Sequence, residues 1–319
     1  MLAVAVLALV ALASIAIGAK ALSLDQVWHG LFHDTGTYGD VVVDERLART
    51  LLGLLAGAAL GLSGAVLQAL TRNPLADPGL LGINAGASAA VVTAITFFGV
   101  TSLSGYVWFA FLGAAAVGAL VWFLGGSRGA TPVRLALAGT AISAALYGYL
   151  QAVMIMDDAA LGRMRFWTVG SLASATNTTI AQVLPFLAAG TLLALALARP
   201  LNAMTMGDDT ARALGARPHR TRALAMLAAT VLCGAATAAC GPIVFVGLMV
   251  PHAVRSFTGP DLRWILPYAA VLSPVLLLGA DVVGRVVARP AELQVGIVTA
   301  VIGGPVFIFL VRRRRTAQL

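Results

Sequence analysis

The sequence carries very little charge for its length. Only 11% of its 319 residues are charged and 60% are hydrophobic, against roughly 25% charged in an ordinary soluble domain. With a mean hydropathy of +0.92, this composition excludes a soluble globular protein. The chain also has a single lysine, Lys20, which does not follow a glycine-rich phosphate loop. A P-loop ATPase motif is therefore absent, and the chain cannot hydrolyse ATP through one.

Catalytic and metal-ligating residues are also scarce. Cys233 and Cys240 lie on one predicted span, where we expect small buried side chains rather than a disulfide. His29 and His33 could present two metal ligands on one helix face, but a short amphipathic interfacial helix anchored by Trp28 is the favoured interpretation. Since no Ser/His/Asp arrangement and no His-Glu-x-x-His motif occurs, we expect no metal site, no cofactor and no enzymatic activity on this chain alone.

Long uncharged stretches predict an all-α protein with about ten transmembrane helices, because a charge at the bilayer centre costs several kcal/mol. Ten spans of about 20 residues use about 200 residues, which favours one transmembrane domain over residues 1–319. Gly241-Pro242 predicts a turn between two crossings. The predicted spans are Leu2–Ala19, Leu51–Thr71, two within Gly79–Ser127, Leu135–Met156, Ile180–Ala198, Ala223–Cys240, Gly241–Phe257, Trp264 through Asp281, and Leu293–Val311.

The basic residues orient these spans. With ten crossings and a cytoplasmic N-terminus, 14 of the 21 basic residues are cytoplasmic and 7 lie outside, as the positive-inside rule requires. Nine crossings would place the cluster Arg312–Arg315 outside. The excess of basic over acidic residues, 21 against 13, thus reflects orientation rather than nucleic-acid binding. We expect cytoplasmic termini, an extracytoplasmic loop at about 20–46 and a cytoplasmic loop at about 200–222.

The first predicted span has a cleaved signal peptide as its alternative. Small residues near its end would suit a cleavage site, but the basic region that opens a signal peptide is missing. We therefore expect this span to be retained.

Few polar side chains fall within the spans. Gln68, Asn84 and Gln151 are the candidates for a translocation path. Asp281 is the one acidic residue within a predicted span, and Arg285 follows it at a spacing that permits pairing on one helix face; a structural role and a docking role both remain open. Because ion-coupled secondary transporters usually keep ionisable groups at the midplane, we expect the driving energy to come from outside the membrane.

The long cytoplasmic loop contains a short predicted helix between Gly207 and Gly215. Asp208 is a good N-cap, Asp209 complements the helix dipole, and Gly215 suits the position after the helix end. With a small residue at Ala211, this helix has the character of an element held by a partner. A solvated loop helix is the alternative.

Several motifs follow one another along nearly the whole chain. Together this series resembles the FecCD-type permease family, the membrane subunits of binding-protein-dependent ABC importers for iron-siderophores, haem and cobalamin. The motifs are Arg46-Leu-Ala-Arg49, Gly57 to Gly64 with Gln68, Arg72-Asn-Pro-Leu-Ala-Asp-Pro78, Trp167-Thr-Val-Gly170, Gly207 to Gly215, Gly241-Pro-Ile-Val-Phe-Val-Gly247, Pro251-His-x-x-Arg255, Asp281-x-x-x-Arg285 and Glu292 to Phe307.

The resemblance implies a type II importer fold in the bacterial inner membrane. Two permease copies or paralogues would surround a central path, with two ATPase subunits, which bind the ATP and Mg, below and a substrate-binding protein above. The residues implied to couple to the ATPase are Gly207, Asp208, Asp209, Ala211, Arg212, Leu214 and Gly215; those implied to dock the binding protein are Arg46, Arg49 and Arg285. A ferric siderophore is the favoured cargo, with haem and cobalamin next. A zinc or manganese ABC permease and an ATP-independent secondary transporter are the alternatives.

Two positions depart from the family pattern. Ala48 and Gln294 each replace a proline of the family motifs. We expect both positions to be helix starts, where proline mainly fixes entry geometry, so that loop stiffness changes and docking is retained.

Overall fold

The computed structural model describes residues 1–18, 22–32, 38–126, 132–213, 215 and 217–316. These parts of the chain are helical and contain no β-strand. A short 3₁₀ helix, Pro78–Leu81, joins α3 to α4. The α-helices are α1 Leu2–Ala16, α2 Leu24–Phe32, α3 Tyr38–Thr71, α4 Ile83–Phe98, α5 Leu103–Gly126, α6 Pro132–Met156, α7 Asp158–Trp167, α8 Asn177–Ala196, α9 Ala198–Thr205, α10 Asp208–Ala213, α11 Pro218–Cys240, α12 Val246–Thr258, α13 Leu262–Val287 and α14 Val295–Thr316.

The helices have the lengths of a multi-pass membrane protein. Among the described residues six of them, α3, α5, α6, α8, α11 and α13, are long and apolar enough to cross a bilayer, and α1, α4 and α14 contain shorter apolar helices. The second part of the predicted loop at about 20–46 is helical, because α3 begins at Tyr38. Arg46 and Arg49 therefore lie on a helix.

The central helix is α3, which packs against α11, α12 and α13. Small residues let these backbones approach closely, as in other membrane helix pairs. A Cβ atom at Gly57 would lie 2.7 Å from the Cα atom of Pro274, and one at Gly64 would overlap the backbone of Gly247. Glycine is therefore required at these crossings, which explains the spacing of the Gly57 to Gly64 motif.

The turn predicted at Gly241-Pro242 is present between α11 and α12. Gly241 and Gly170 have positive φ angles of 73° and 80°, and a side chain on either would overlap the backbone of the other segment. The Ser171 amide donates to the Cys240 carbonyl at 2.7 Å. Cys240 and Cys233 are buried free thiols, as predicted.

The two positions that replace prolines differ in their setting. Gln294 immediately precedes α14, as expected of a helix start, whereas Ala48 lies well inside α3. The expectation for Ala48 is wrong because α3 extends about three turns beyond the apolar stretch from which its start was predicted. An alanine there suits a continuous helix, since a proline would remove a backbone hydrogen bond.

Candidate functional site

The predicted functional residues form two groups at opposite ends of the molecule. We call Arg46, Arg49, Arg285, Asp281 and Glu292 the arginine cluster, and Asp208–Ala213 the loop helix. Arg49 lies about three turns into α3, and Arg72, which contacts the loop helix, follows the end of α3. The intervening 23 residues of helix measure about 35 Å at 1.5 Å per residue. This separation matches a bilayer core of about 30 Å.

Asp281 is the centre of the arginine cluster. Its side chain is completely buried, and it accepts hydrogen bonds from Arg49 Nε at 3.0 Å and Arg49 Nη2 at 2.8 Å. Arg285 Nη2 lies 3.0 Å from Asp281 Oδ2, so the pairing predicted from their spacing is present. Arg49 also donates from Nη1 to Glu292 at 2.7 Å. One carboxylate thus joins α3 to α13, and a second extends the network to the segment before α14.

The other two arginines hold the end of α1. Arg46 Nη1 donates to the carbonyls of Ile15 and Ala16, both at 3.0 Å, and Arg285 donates to the carbonyl and hydroxyl of Ser14 at 2.9 and 3.0 Å. Carbonyl groups at a helix C-terminus have no partner inside the helix and carry partial negative charge. The guanidinium groups satisfy these carbonyls and fix α1 against α3 and α13.

These contacts bear on the predicted docking role of the three arginines. Arg285 is 1% exposed and Arg46 is 7% exposed, while 11% of the Arg49 side chain is accessible. All three are engaged within the chain, so docking on them stays a prediction. Sequence reasoning missed the Arg49 to Asp281 and Arg49 to Glu292 pairs, because more than 200 residues separate the partners. The sequence did contain one indication of such pairs: Asp281 lies within a predicted span, and a buried carboxylate requires a cationic partner.

The loop helix is fixed by salt bridges at its first residue. The Asp208 carboxylate accepts from Arg72 at 2.8 Å and from Arg222 at 2.7 Å, and Arg72 also donates to the Met204 carbonyl at 2.6 Å. Partial burial opposes ionisation, but Arg222 and then Arg72 hold the pKa of Asp208 below its usual value. Since α10 begins at Asp208, the residue before the helix is Gly207. The predicted N-cap role of Asp208 is therefore replaced by this anchoring role.

Ala211, which was predicted as part of the contact face, is not on the exposed face of the loop helix. Ala211 is fully buried against its own chain, whereas Asp209, Arg212, Ala213 and Gly215 are exposed. Arg212 pairs with Asp209 at 2.7 Å. Gly215 has a φ angle of 80°, in agreement with its predicted position after the helix. Leu214 lies outside the described residues.

The three candidate path residues differ in burial and in the contacts they make. Gln68 is fully buried and donates to the Leu248 carbonyl at 3.1 Å. Asn84 accepts from Thr237 at 2.9 Å, and Gln151 is exposed on α6. Gln68 and Asn84 thus join helices within the chain, and Gln151 is the one of the three with an open surface. Whether any of them contacts cargo stays a prediction.

The predicted histidine pair is only partly described. His29 lies on α2, 3.7 Å from Asp25, while His33 lies outside the described residues. Among the described residues, no group of three or more histidine, cysteine, aspartate or glutamate side chains could hold a metal ion.

A cavity of about 570 Å³ opens at the end of the molecule that carries α7. Its walls combine aromatic rings, hydroxyl groups, an amide and one cation, contributed by Tyr106, Trp167, Ser171, Gln294 and Arg163. A surface of this mixed character suits contact with a polar partner or with cargo entering from this side. None of these residues was predicted as a site.

Comparison with known proteins places the chain among transport proteins. The model of the FecCD transport family matches residues 6–313. The ferric enterobactin transport system permease protein FepD of Escherichia coli (strain K12) is 49% identical over 306 residues, covering 94% of this chain and 91% of FepD. The hemin transport system permease protein HmuU of Yersinia pestis is 38% identical, covering 97% and 93%. A metal-chelate type ABC transporter solved in an inward-facing conformation superposes with a TM-score of 0.85 at 29% identity, covering 98% and 97%.

Asp281 provides a direct test of the arginine cluster. We expect Asp281→Asn to lower the free energy of unfolding by about 3–5 kcal/mol, because the buried Arg285 loses its counter-charge and Arg49 keeps Glu292 alone. Asp25→Asn is the control, since 83% of that side chain is exposed. The measurement is thermal unfolding of the purified protein in detergent. Equal stability of both variants would show that the cluster does not hold the helices together.

Proposed function

Since the chain belongs to the FecCD transport family and is an ABC importer permease, we propose that it carries a ferric siderophore across the bacterial cytoplasmic membrane. The observation that carries this proposal is the 49% identity to FepD, a ferric enterobactin permease, over 94% of the chain. The hemin permease HmuU is 38% identical, and a cobalamin permease of Halobacterium salinarum is also 38% identical. The higher identity to the enterobactin permease favours a siderophore over haem and cobalamin as the cargo.

We further propose ten crossings in a single domain over residues 1–319. The six long helices, the three shorter apolar ones and α12 together give this number. α12 has only 13 residues, but the non-helical segment 241–245 precedes it and lengthens the stretch of chain that can cross the bilayer. With both termini in the cytoplasm, the loop helix lies inside and the arginine cluster outside, which agrees with the distribution of basic residues.

The loop helix is proposed as the contact with a separate ATPase subunit, which binds the ATP and Mg. Salt bridges from Asp208 to Arg72 and Arg222 connect it to the ends of α3 and α11. A displacement of the loop helix by a partner would therefore move the ends of α3 and α11 with it. Energy coupling requires that the partner bind two conformations of this element with different free energies.

The arginine cluster is proposed to mark the docking surface for an extracytoplasmic substrate-binding protein. Within it, Arg49 is proposed to face the partner, because part of its side chain is accessible and its neighbour Glu292 is about one-third exposed. Arg46 and Arg285 position that surface by holding α1. Complementary charges at such a rim mainly set encounter rate and register.

Transport in this proposal alternates between outward and inward openings formed by two permease copies, identical or paralogous. An ATP-independent secondary transporter is disfavoured, because the ionisable residues of α13 that lie in a span are tied into the arginine cluster. A zinc or manganese permease is disfavoured by the match to ferric-chelate permeases.

The cargo is tested by uptake. The chain is reconstituted in proteoliposomes with its ATPase and binding protein, and ferric siderophores, haem and cobalamin are supplied separately in the presence of ATP. We expect a ferric siderophore to accumulate and the other two to remain at the level seen without binding protein. Selective accumulation of haem or cobalamin would overturn the cargo assignment while leaving the importer assignment intact.

The coupling face is tested by introducing a bulky side chain. We expect Ala213→Trp to abolish ATP-driven uptake with stability within about 0.5 kcal/mol of the wild type, since Ala213 is exposed. Ala211→Trp should instead destabilise the chain by about 1–3 kcal/mol through overpacking. Ala189→Trp, at an exposed position of α8, is the matched control. Uptake by Ala213→Trp equal to that of Ala189→Trp would contradict the coupling assignment.

A further inference from the structure

A second cavity lies between the end of α8 and the start of α13. It has a volume of about 390 Å³ and combines apolar walls with two guanidinium groups. Its lining includes Leu195, Arg199, Leu262, Arg263, Leu266 and Pro267. We call it the α8–α13 groove.

The charged residues that line this groove favour the binding of an anion. Arg199 is exposed and has no hydrogen bond or ion pair with any residue in the described ranges. Arg263 is paired with Asp261 at 2.7 Å, but 61% of its side chain remains exposed. The Asp261 carboxylate also accepts from Asn202 at 2.6 Å, so its charge is already shared between Asn202 and Arg263. Arg199 is left as a cation beside an apolar wall.

The wall of the groove is rigid. The Asn202 carboxamide donates to Asp261 and accepts from the Leu262 amide at 2.9 Å, which ties α9 to the first turn of α13. The position of Arg263 is fixed further by its own backbone amide, which donates to Asp261 at 2.9 Å. The groove is therefore formed by the chain itself and does not need a ligand to hold it open.

The surroundings of the groove have the character of a bilayer boundary. Leu192 and Leu195 on α8 are 70% and 42% exposed, and Trp264 on α13 is 59% exposed. Exposed leucines suit acyl chains, and tryptophan is enriched at the level of the headgroups. In the proposed orientation, α8 ends and α13 begins at the cytoplasmic surface, where anionic lipids are recognised by basic pockets between helices.

We propose that the α8–α13 groove binds an anionic phospholipid of the inner leaflet. Arg199 contacts the lipid phosphate through charge-assisted hydrogen bonds, Arg263 adds a second positive charge, and an acyl chain lies along Leu195, Leu266 and Pro267. The inference rests on the orientation given under the proposed function. It does not depend on the identity of the cargo, and lipid binding is measured without transport.

Native mass spectrometry of the assembled importer tests this proposal. Phosphatidylglycerol and phosphatidylethanolamine are titrated against the detergent-purified complex. We expect preferential retention of phosphatidylglycerol, and Arg199→Gln should weaken that retention about fivefold, the contribution of one cation at a membrane surface. Arg199→Lys should keep most of the preference because it retains the charge.

Arg220→Gln is the matched control, since Arg220 is also exposed at the end that carries the loop helix and has no pairing partner in the described ranges. Equal weakening by Arg220→Gln would overturn the groove assignment in favour of general electrostatic attraction. Equal retention of both lipids by the wild-type complex would overturn it as well. Displacement of phosphatidylglycerol by inorganic phosphate alone would show a site for free phosphate and contradict the lipid assignment.

Discussion

A charge buried among transmembrane helices must find its counter-charge within the protein, and this constraint organises the outer end of the molecule. Asp281 has no exposed surface, and it is stable there because Arg49 and Arg285 both reach it. Arg285 also donates a hydrogen bond to the Ser14 carbonyl, and Arg46 donates to the neighbouring carbonyls of α1. A single carboxylate on α13 thus helps to fix α1 and α3 at this end of the molecule. Replacing such a network with apolar side chains is often tolerated, whereas removing one member is costly, so each member depends on the others.

The same principle applies at the loop helix, with one carboxylate between two guanidinium groups. There the site is solvent-accessible, and Asp208 joins the ends of α3 and α11 to a six-residue helix that is too short to be stable alone. Between the two ends, α3 crosses α12 and α13 at glycine contacts where backbones touch. A helix held at both ends and along its length suits the proposed link between a partner on one side and a partner on the other.

The sequence was sufficient for the all-helical class, for the turn at Gly241, and for the pairing of Asp281 with Arg285, because each follows from local spacing. It was insufficient where partners are distant in the chain. Arg49 was predicted as a docking residue without its bond to Asp281, and Asp208 as an N-cap without Arg72 and Arg222. The burial of Ala211 was missed because a six-residue segment gives no periodicity from which to choose its buried face. The early start of α3 was missed because its first turns contain several charged residues. A search for uncharged stretches finds only the apolar part of such a helix.

We propose that the energy for transport enters through a partner ATPase and not through ionisable groups in the spans. The most direct measurement compares two driving forces in proteoliposomes that contain the chain, its ATPase and its binding protein. In one arm ATP is supplied without an ion gradient, and in the other a proton or sodium gradient is imposed without ATP. We expect the ferric siderophore to accumulate in the first arm alone. Accumulation driven by a gradient in the absence of ATP would contradict it.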